Sequence, residues 1–173
     1  MPTTKTTKSF GLEGQAGVAA RDVIRSGRHD RTYSSWRLRL GAIAAELAAE
    51  PPASSDVVFW DPFSPRHDSA LWSVSAFSAL RRVCRAGATV HTYSGATATR
   101  SALLLAGFAV GFGPSASDKQ KHTTIAALKV EDLERPLDRV WFDRLTRSAA
   151  CWPPDAPADA LARLASLSQF ASR

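Results

Sequence analysis

The most distinctive feature of the hydrophobic pattern is a run of four apolar residues at positions 57–60, Val-Val-Phe-Trp. A strand that is apolar at every position is typical of the interior of a parallel sheet, where both faces are covered. The run ends at Asp61, and two prolines in the next four residues prevent further ladder pairing. We therefore expect Asp61 at the carboxyl end of a central strand, where open α/β sheets bind ligands. Asp-Pro also begins many turns, so Asp61 could serve only as a cap.

The rest of the pattern predicts strands and helices in alternation. In chain order these are a helix over 16–24, a strand over 35–40, a helix over 42–50, the strand over 57–61, a helix over 69–85, a strand over 89–94, a helix over 97–106, and strands over 108–112 and 123–128. Gly87 is placed to cap the helix over 69–85. The last two strands are joined without a helix, which indicates an antiparallel hairpin at the sheet edge. The sequence therefore predicts an α/β fold with a mostly parallel sheet and helices on both faces.

The chain divides into three parts by composition. Residues 1–15 are polar and basic without periodicity, which predicts a flexible tail. Residues 16–128 contain the alternating elements and are predicted to form the domain. Residues 129–173 are predicted to be a helical extension, with helices near 139–149 and over 159–170 on either side of a proline-rich turn.

Charge is distributed unevenly along the chain. The net charge is +6, and +4 of it lies in residues 57–128, which carry seven basic and three acidic side chains. A basic surface around a ligand crevice favours an anionic partner, most naturally nucleic acid. A merely basic surface on a soluble protein would show the same excess, and charge alone does not separate the two interpretations.

Membrane and metal chemistry find little support in the sequence. No apolar run approaches the ~18 residues of a membrane-spanning helix. The two cysteines, Cys84 and Cys151, lie far apart and show neither metal-ligand spacing nor a disulfide framework. His67 and His91 likewise show no metal spacing and are interpreted as structural. We therefore expect no metal site and a reducing, cytoplasmic setting.

The residues around the apolar run resemble a known family. A doubly wound, Rossmann-like sheet that ends in an antiparallel hairpin is typical of class I S-adenosylmethionine-dependent methyltransferases. Four segments narrow the class further: Asp-Val-Val-Phe-Trp-Asp-Pro-Phe-Ser-Pro at 56–65, Leu71-Trp72-Ser73 with Phe77, Thr92-Tyr93-Ser94, and Ala106-Gly107-Phe108. In these segments the chain resembles the MnmC-type family, whose members methylate the aminomethyl group on the wobble uridine of certain tRNAs. The resemblance covers about residues 35–128, and it implies S-adenosylmethionine as cofactor and tRNA as partner.

The resemblance assigns a catalytic role to one carboxylate. In that family the aspartate of the Asp-x-Phe-x-Pro motif lies beside the cofactor and the substrate amine, which carries over here to Asp61. Methyl transfer to nitrogen needs a neutral amine whose lone pair points at the methyl group, and a carboxylate can accept the amine proton or orient its N–H. The resemblance also implies that the cofactor is contacted by Gly41, Ala42, Asp61 and Pro62.

Residues near Asp61 are implied to bind the substrate base. Phe63 and Pro65 would shape a pocket beneath the carboxylate. Tyr93 and Ser94, at the end of the neighbouring strand, could bracket the base by stacking and hydrogen bonding. Phe63 could equally belong to the hydrophobic core.

Basic residues downstream are candidates for contacts with RNA phosphates. Arg100 lies on the helix over 97–106, and Lys119 and Lys121 lie in the polar loop before the last strand. A pair of lysines in such a loop is more often simply solvated, so phosphate contact there competes with an ordinary surface role.

Two features depart from the family pattern. A class I enzyme binds its cofactor on a glycine-rich loop after the first strand, but the one candidate in residues 1–34, Gly11-Leu-Glu-Gly14, follows no apolar strand. Gly41-Ala42 stands where the family usually has Gly-Asp after its third strand. The chain is thus expected to lack the first two strands of the domain. The strand over 57–61 would then present an apolar edge, which the tail, a partner chain or a second copy could cover.

Three interpretations of function follow. The chain could be a methyltransferase that acts on tRNA wobble uridine. It could instead be a non-catalytic remnant that binds RNA or a protein through the basic crevice. The start of the chain could also be misassigned, with the glycine-rich half encoded upstream. Binding of S-adenosylmethionine to this chain separates the first two interpretations.

Overall fold

The structure, a computed structural model, describes residues 14–64, 67–115 and 122–171. They fall into two compact units, Met1–Ala42 and Ile43–Arg173. Within these described ranges, no helix is long and apolar enough to cross a membrane. Most of the predicted site residues belong to the second unit.

From residue 14 onward, the first unit consists of one helix and one hairpin. Helix α1 (Gly14–Ser26), which the sequence predicts, ends at Gly27, whose φ of 76° is a left-handed conformation that favours glycine. Strands β1 (Arg28–Arg31) and β2 (Ser34–Arg37) pair in antiparallel fashion. The strand predicted over 35–40 therefore ends early, and it pairs within this local hairpin because a complementary strand precedes it by only a tight turn.

The second unit is built on a four-stranded sheet in the order β3-β4-β6-β5. Its strands are β3 (Ser55–Phe59), β4 (Cys84–Thr92), β5 (Ala109–Phe112) and β6 (Thr124–Ala127). β3 and β4 are parallel, and β6 runs antiparallel to both β4 and β5. The mostly parallel sheet with an antiparallel C-terminal hairpin is therefore confirmed. The returning strand β6 lies inside the sheet, and β5 forms its edge.

The helices of the second unit alternate with these strands. Within the described residues they are α2 (Ile43–Ala49), α3 (Val74–Val83), α4 (Thr97–Leu105), α5 (Arg139–Asp143) and α6 (Ala160–Ala165). Short 3₁₀ turns cover Ser69–Trp72, Val130–Asp132, Leu145–Arg147 and Ser168–Phe170. The helix predicted over 69–85 is divided at Ser73, because the Ser73 hydroxyl accepts the N–H of Ala76 and caps α3.

The prediction that Gly87 caps a helix is wrong. β4 begins at Cys84, directly after α3, and Gly87 lies inside this strand with a φ of 81°. The register of β3 against β4 shifts between the pairs Ser55–Cys84 and Val57–Thr89, so several residues of β4 bulge out between them. Gly87 therefore supplies the backbone freedom of a strand bulge.

The main hydrophobic core lies against one face of the sheet. Val58, Val90, Val110 and Ala126 form a row across the four strands, and each belongs to or packs against this core. Apolar side chains of the helices and of the C-terminal segment complete it, including Phe77, Leu80, Leu164 and Phe170. The segment after residue 128 is thus packed into the same core as the sheet.

Strand β3 is not the inner strand that its apolar run predicts. It is the first strand in the sheet order, and its Val57 and Phe59 side chains are 56% and 79% exposed. Val58, which points to the opposite face, packs against the core. The expectation of burial on both faces is wrong because β3 is an edge strand with one exposed face. The expectation of an apolar edge is confirmed.

The C-terminal segment also caps helix α3. The carboxylate of Asp155 accepts the N–H groups of Val74 at 2.8 Å and Ser75 at 3.0 Å, and the Ser75 hydroxyl at 2.6 Å. Partial burial alone would raise the pKa of Asp155, but these hydrogen bonds together outweigh it and hold the pKa below its usual value. The ionised carboxylate thus satisfies the first N–H groups of α3.

Candidate functional site

The candidate site lies where β3 and β4 end side by side. The N–H of Trp60 donates to the carbonyl of His91 at 2.8 Å, which extends the pairing one residue past Phe59. Asp61 is the next residue, and it is exposed. Its carboxylate therefore stands at the carboxyl end of a sheet strand, where α/β proteins place ligands.

Two aromatic side chains hold the loop that carries Asp61. The hydroxyl of Tyr93, just beyond β4, donates to the carbonyl of Pro62 at 3.3 Å. The indole N–H of Trp72 donates to the carbonyl of Phe63 at 2.8 Å. The Trp72 and Tyr93 rings also meet in a T-shaped contact, with centroids 5.8 Å apart and planes at 81°. The loop backbone is thus tied to both the end of β4 and the start of α3.

Two clefts meet at Asp61. One, of about 290 Å³, lies between the strand ends and is lined by Asp61, Tyr93 and Thr123 among others. The other, of about 530 Å³, follows the free edge of β3 and is lined largely by apolar residues such as Ile43 and Leu47. Phe59, Trp60 and Asp61 line both clefts. Of these three shared residues, only Asp61 is ionisable, so it can interact with ligands on either side.

The predicted pocket residues Tyr93 and Phe63 occupy different environments. Tyr93 lines the 290 Å³ cleft and is 50% exposed, so its ring is available to a ligand. Phe63 is 82% exposed, which removes the alternative that it belongs to the core. Phe63 projects from the same loop as Asp61, but it is not among the residues that line the two clefts.

Ser94 is buried and engaged in holding the end of β4. Its hydroxyl shares a hydrogen bond of 3.0 Å with the hydroxyl of Thr99 on α4. Its carbonyl accepts the hydroxyl of Thr124 on β6 at 2.6 Å. These contacts connect the end of β4 to α4 and β6. Because the Ser94 hydroxyl is buried, it is not exposed to donate the predicted hydrogen bond to a substrate base.

Arg100 is also buried, although the sequence suggested a phosphate contact. Its guanidinium donates to the hydroxyl of Thr124 at 3.0 Å and to the carbonyls of His122 at 2.9 Å and Thr123 at 3.2 Å. It also lies 4.8 Å from the centroid of the Phe112 ring. Burial lowers the pKa of Arg100 below its ordinary value, but an arginine stays charged. The side chain therefore holds the backbone that leads into β6 and presents no exposed guanidinium to RNA.

Five predicted site residues are not among the described residues of the second unit. Pro65, Lys119 and Lys121 lie outside the described residues. Gly41 and Ala42 are the last two residues of the first unit. Their proposed contacts with substrate or cofactor stay predictions.

Sequence reasoning missed part of the cleft lining. His91 and Thr92, the last residues of β4, line the 290 Å³ cleft together with Pro114 and Thr123 from the segment before β6. The strand end itself was the available signal for His91, because residues before Tyr93 share its edge of the sheet. The loop residues carried no such signal, since their position depends on where β6 returns.

The site offers acid–base and stacking groups. An exposed carboxylate can accept a proton from an amine or orient its N–H, and a half-exposed tyrosine ring offers a stacking surface for a flat base. Among residues 14–64, 67–115 and 122–171, no group of three His, Cys, Asp or Glu side chains could hold a metal ion. The groups present therefore favour proton handling and positioning of a flat substrate.

Comparisons with known proteins bear on the same region. The family described as S-adenosyl-L-methionine-dependent methyltransferase matches residues 23–129, more than half of the chain. The chain is 33% identical over 103 residues to the tRNA 5-methylaminomethyl-2-thiouridine biosynthesis bifunctional protein MnmC of Ralstonia nicotianae, which covers 58% of this chain and 16% of that protein. It is 40% identical over 76 residues to the protein of the same name from Burkholderia vietnamiensis, which covers 44% of this chain and 12% of that protein.

A solved structure shows the same fold. The crystal structure of MnmC2 from Aquifex aeolicus matches with a TM-score of 0.67 at 22% identity, over 88% of this chain and 50% of that one. The chain thus spans half the length of this structure and about a sixth of the length of the Ralstonia relative.

Proposed function

The chain belongs to the S-adenosyl-L-methionine-dependent methyltransferase family, and from this premise we propose that it methylates the aminomethyl group on the wobble uridine of tRNA. Membership confirms the resemblance found in the sequence. One observation carries the proposal: Asp61 is the ionisable residue shared by two clefts that meet at the end of β3. A group transfer needs such a junction, because donor and acceptor must approach the same point from two sides.

The cleft along the β3 edge is the proposed cofactor site. S-adenosyl-L-methionine supplies the methyl group when it is bound. Ile43, Leu47 and Phe59 give this cleft an apolar lining that suits an adenine ring, and Asp61 and Pro62 lie at its end. That Gly41 and Ala42 contact the cofactor is proposed from the family resemblance alone.

The 290 Å³ cleft is the proposed site of the substrate base. Tyr93 would stack on the uracil ring, and Asp61 would accept a hydrogen bond from the aminomethyl nitrogen. A neutral amine is required, because only its lone pair can form the new nitrogen–carbon bond. As that bond forms, the sulfur–methyl bond of the bound cofactor would break, and the surplus proton on nitrogen would pass to the Asp61 carboxylate and then to water, since Asp61 is exposed.

The charge of the chain supports tRNA as the partner. Residues 57–128 carry +4 of the net charge of +6. Phosphate contacts from Lys119 and Lys121 remain part of this proposal. Arg100 does not, because its guanidinium is enclosed by protein. We place this activity in the cytoplasm, which suits the free, buried thiols of Cys84 and Cys151.

Titration calorimetry and a methyl-transfer assay test the proposal. We expect the chain to bind S-adenosyl-L-methionine with a Kd below ~1 mM, roughly 4 kcal/mol of binding free energy. We also expect transfer of labelled methyl to an anticodon stem-loop that carries aminomethyl-uridine, and none to the same stem-loop with unmodified uridine. Binding of the stem-loop without any binding of the cofactor would instead favour the non-catalytic RNA-binding interpretation.

The free edge of β3 also borders the proposed cofactor cleft, and we propose that a second copy of the chain covers this edge when no cofactor is bound. Val57 and Phe59 are exposed there, and an unpaired edge strand offers backbone groups to a partner strand. Sedimentation velocity at increasing concentration should show a dimer, and Phe59→Glu should shift the protein to monomer by placing a charge in the interface. Phe63→Glu is the matched control, because Phe63 is equally exposed but lies on a loop. A monomer at all concentrations contradicts this arrangement.

A further inference from the structure

We propose that Trp72 is a positioning residue that fixes the Asp61 carboxylate through the backbone of its loop. The inference rests on the proposed function, because it names a residue that supports the same site through the loop backbone. Trp72 is only 2% exposed and lines neither of the clefts that meet at Asp61. It therefore acts on Asp61 without touching a ligand.

The first link is the hydrogen bond from the Trp72 indole N–H to the carbonyl of Phe63, at 2.8 Å. Only Pro62 separates Phe63 from Asp61, and proline fixes its own φ near −65°. Restraint applied at the Phe63 carbonyl is thus transmitted over a short, stiff segment to the carboxylate. The bond is partly buried, so the Phe63 carbonyl that loses its donor would turn toward water, and the loop would move with it.

The second link runs through Tyr93. The Trp72 and Tyr93 rings pack in a T-shaped arrangement at a centroid distance of 5.8 Å, and the Tyr93 hydroxyl donates to the carbonyl of Pro62 at 3.3 Å. Trp72 thus holds the Phe63 carbonyl directly. It also supports Tyr93, which holds the preceding carbonyl of Pro62. One indole ring thus fixes the positions of both the Tyr93 ring, the proposed stacking surface, and the Asp61 carboxylate, the proposed proton acceptor.

Trp72 is itself held firmly, which a positioning residue must be. Its ring meets the Phe77 ring of α3 edge-on, with centroids 6.4 Å apart and planes at 80°. Its neighbour Ser73 caps α3. The carbonyl of Leu71 accepts the indole N–H of Trp60 at 3.2 Å. These contacts hold the 3₁₀ turn Ser69–Trp72 against α3, and Trp72 reaches the loop from this turn.

Trp72→Phe in the full chain tests the inference, because it keeps an aromatic ring and removes the N–H. We expect kcat for methyl transfer to fall about 10-fold, the cost of a misplaced catalytic group, with KM for the stem-loop changed less than about twofold. Trp141→Phe is the matched control: Trp141 stacks on Phe170 in the C-terminal segment, far along the chain from the site, and this variant should keep its kcat. Equal losses of kcat in both variants would overturn the inference, since they would indicate a general effect on folding.

Hydrogen–deuterium exchange at the His67 and Asp68 amides, which donate to the carbonyl of Ser64 at 2.8 and 3.1 Å, provides a readout that does not depend on activity. Trp72→Phe should speed exchange at these amides, and Trp141→Phe should not. If the wild-type chain transfers no methyl group, the proposed function fails, while the exchange data still decide whether Trp72 holds the loop. If Trp72→Phe fails to fold, Tyr93→Phe removes the other loop donor alone and should speed the same exchange. Unchanged exchange in a folded variant overturns the inference.

Discussion

Replacement of Asp61 by asparagine is expected to lower the rate of methyl transfer about 100-fold, at the lower end of the range for loss of an acid–base group. Asparagine keeps the size of the side chain and a hydrogen-bond acceptor, but it cannot take the proton that leaves the amine. Affinity for S-adenosyl-L-methionine should stay within about twofold, because the proposed action of the carboxylate is on nitrogen. Single-turnover kinetics with labelled cofactor, together with calorimetry, separates the two quantities.

Asp56→Asn is the matched control for this experiment. Asp56 is an exposed aspartate on the same strand, where it pairs with Arg85 at 2.8 Å and lines neither cleft. This variant should keep both the rate and the cofactor affinity. A parallel loss of rate and affinity in Asp61→Asn would show that the carboxylate serves cofactor binding, and the proposed proton transfer would then be wrong.

Replacement of Arg100 by methionine is expected to lower the free energy of unfolding by about 3 kcal/mol, because it leaves two partly buried carbonyls and a buried hydroxyl without their charged donor. Those acceptors belong to His122, Thr123 and Thr124. Urea denaturation followed by circular dichroism measures the change. Methionine retains much of the side-chain volume, so the loss reports the hydrogen bonds more than a cavity.

Arg163→Met provides the comparison for Arg100→Met. Arg163 is exposed on α6 and pairs with Asp159 at 2.8 Å, and such surface pairs contribute about 0.5 kcal/mol or less. If Arg100→Met left stability unchanged and weakened stem-loop binding in a salt-dependent way, the phosphate contact predicted from the sequence would be restored.

The sequence predicted the site's location better than its surroundings. Asp61 was placed correctly at a strand end, because an apolar run that stops at a carboxylate and a proline leaves few alternatives. The order of strands and the final hairpin also followed from local signals, such as the glycine after α4. The local sequence pattern was enough to predict a strand, helix or turn wherever its formation depends on residues close by in the chain.

The predictions were wrong where the environment of a residue depends on distant parts of the chain. An apolar strand reads the same in the middle of a sheet and at its edge, so the exposure of Val57 and Phe59 could not be foreseen from the run itself. Arg100 looks like a surface arginine until the carbonyls around residue 123 are brought to it by the return of β6. Gly87 resembles a helix cap because a bulge has no sequence signature of its own.

The shortness of β3 has a consequence for how the protein behaves at high concentration. The strand has five residues, Pro62 follows it closely, and the charged pair of Asp56 and Arg85 stands at its beginning. Natural proteins use short strands, charges and prolines in this way to keep an open sheet from recruiting chain after chain. The edge that we propose to accept one neighbour is therefore poorly suited to seeding fibrils or amorphous aggregates.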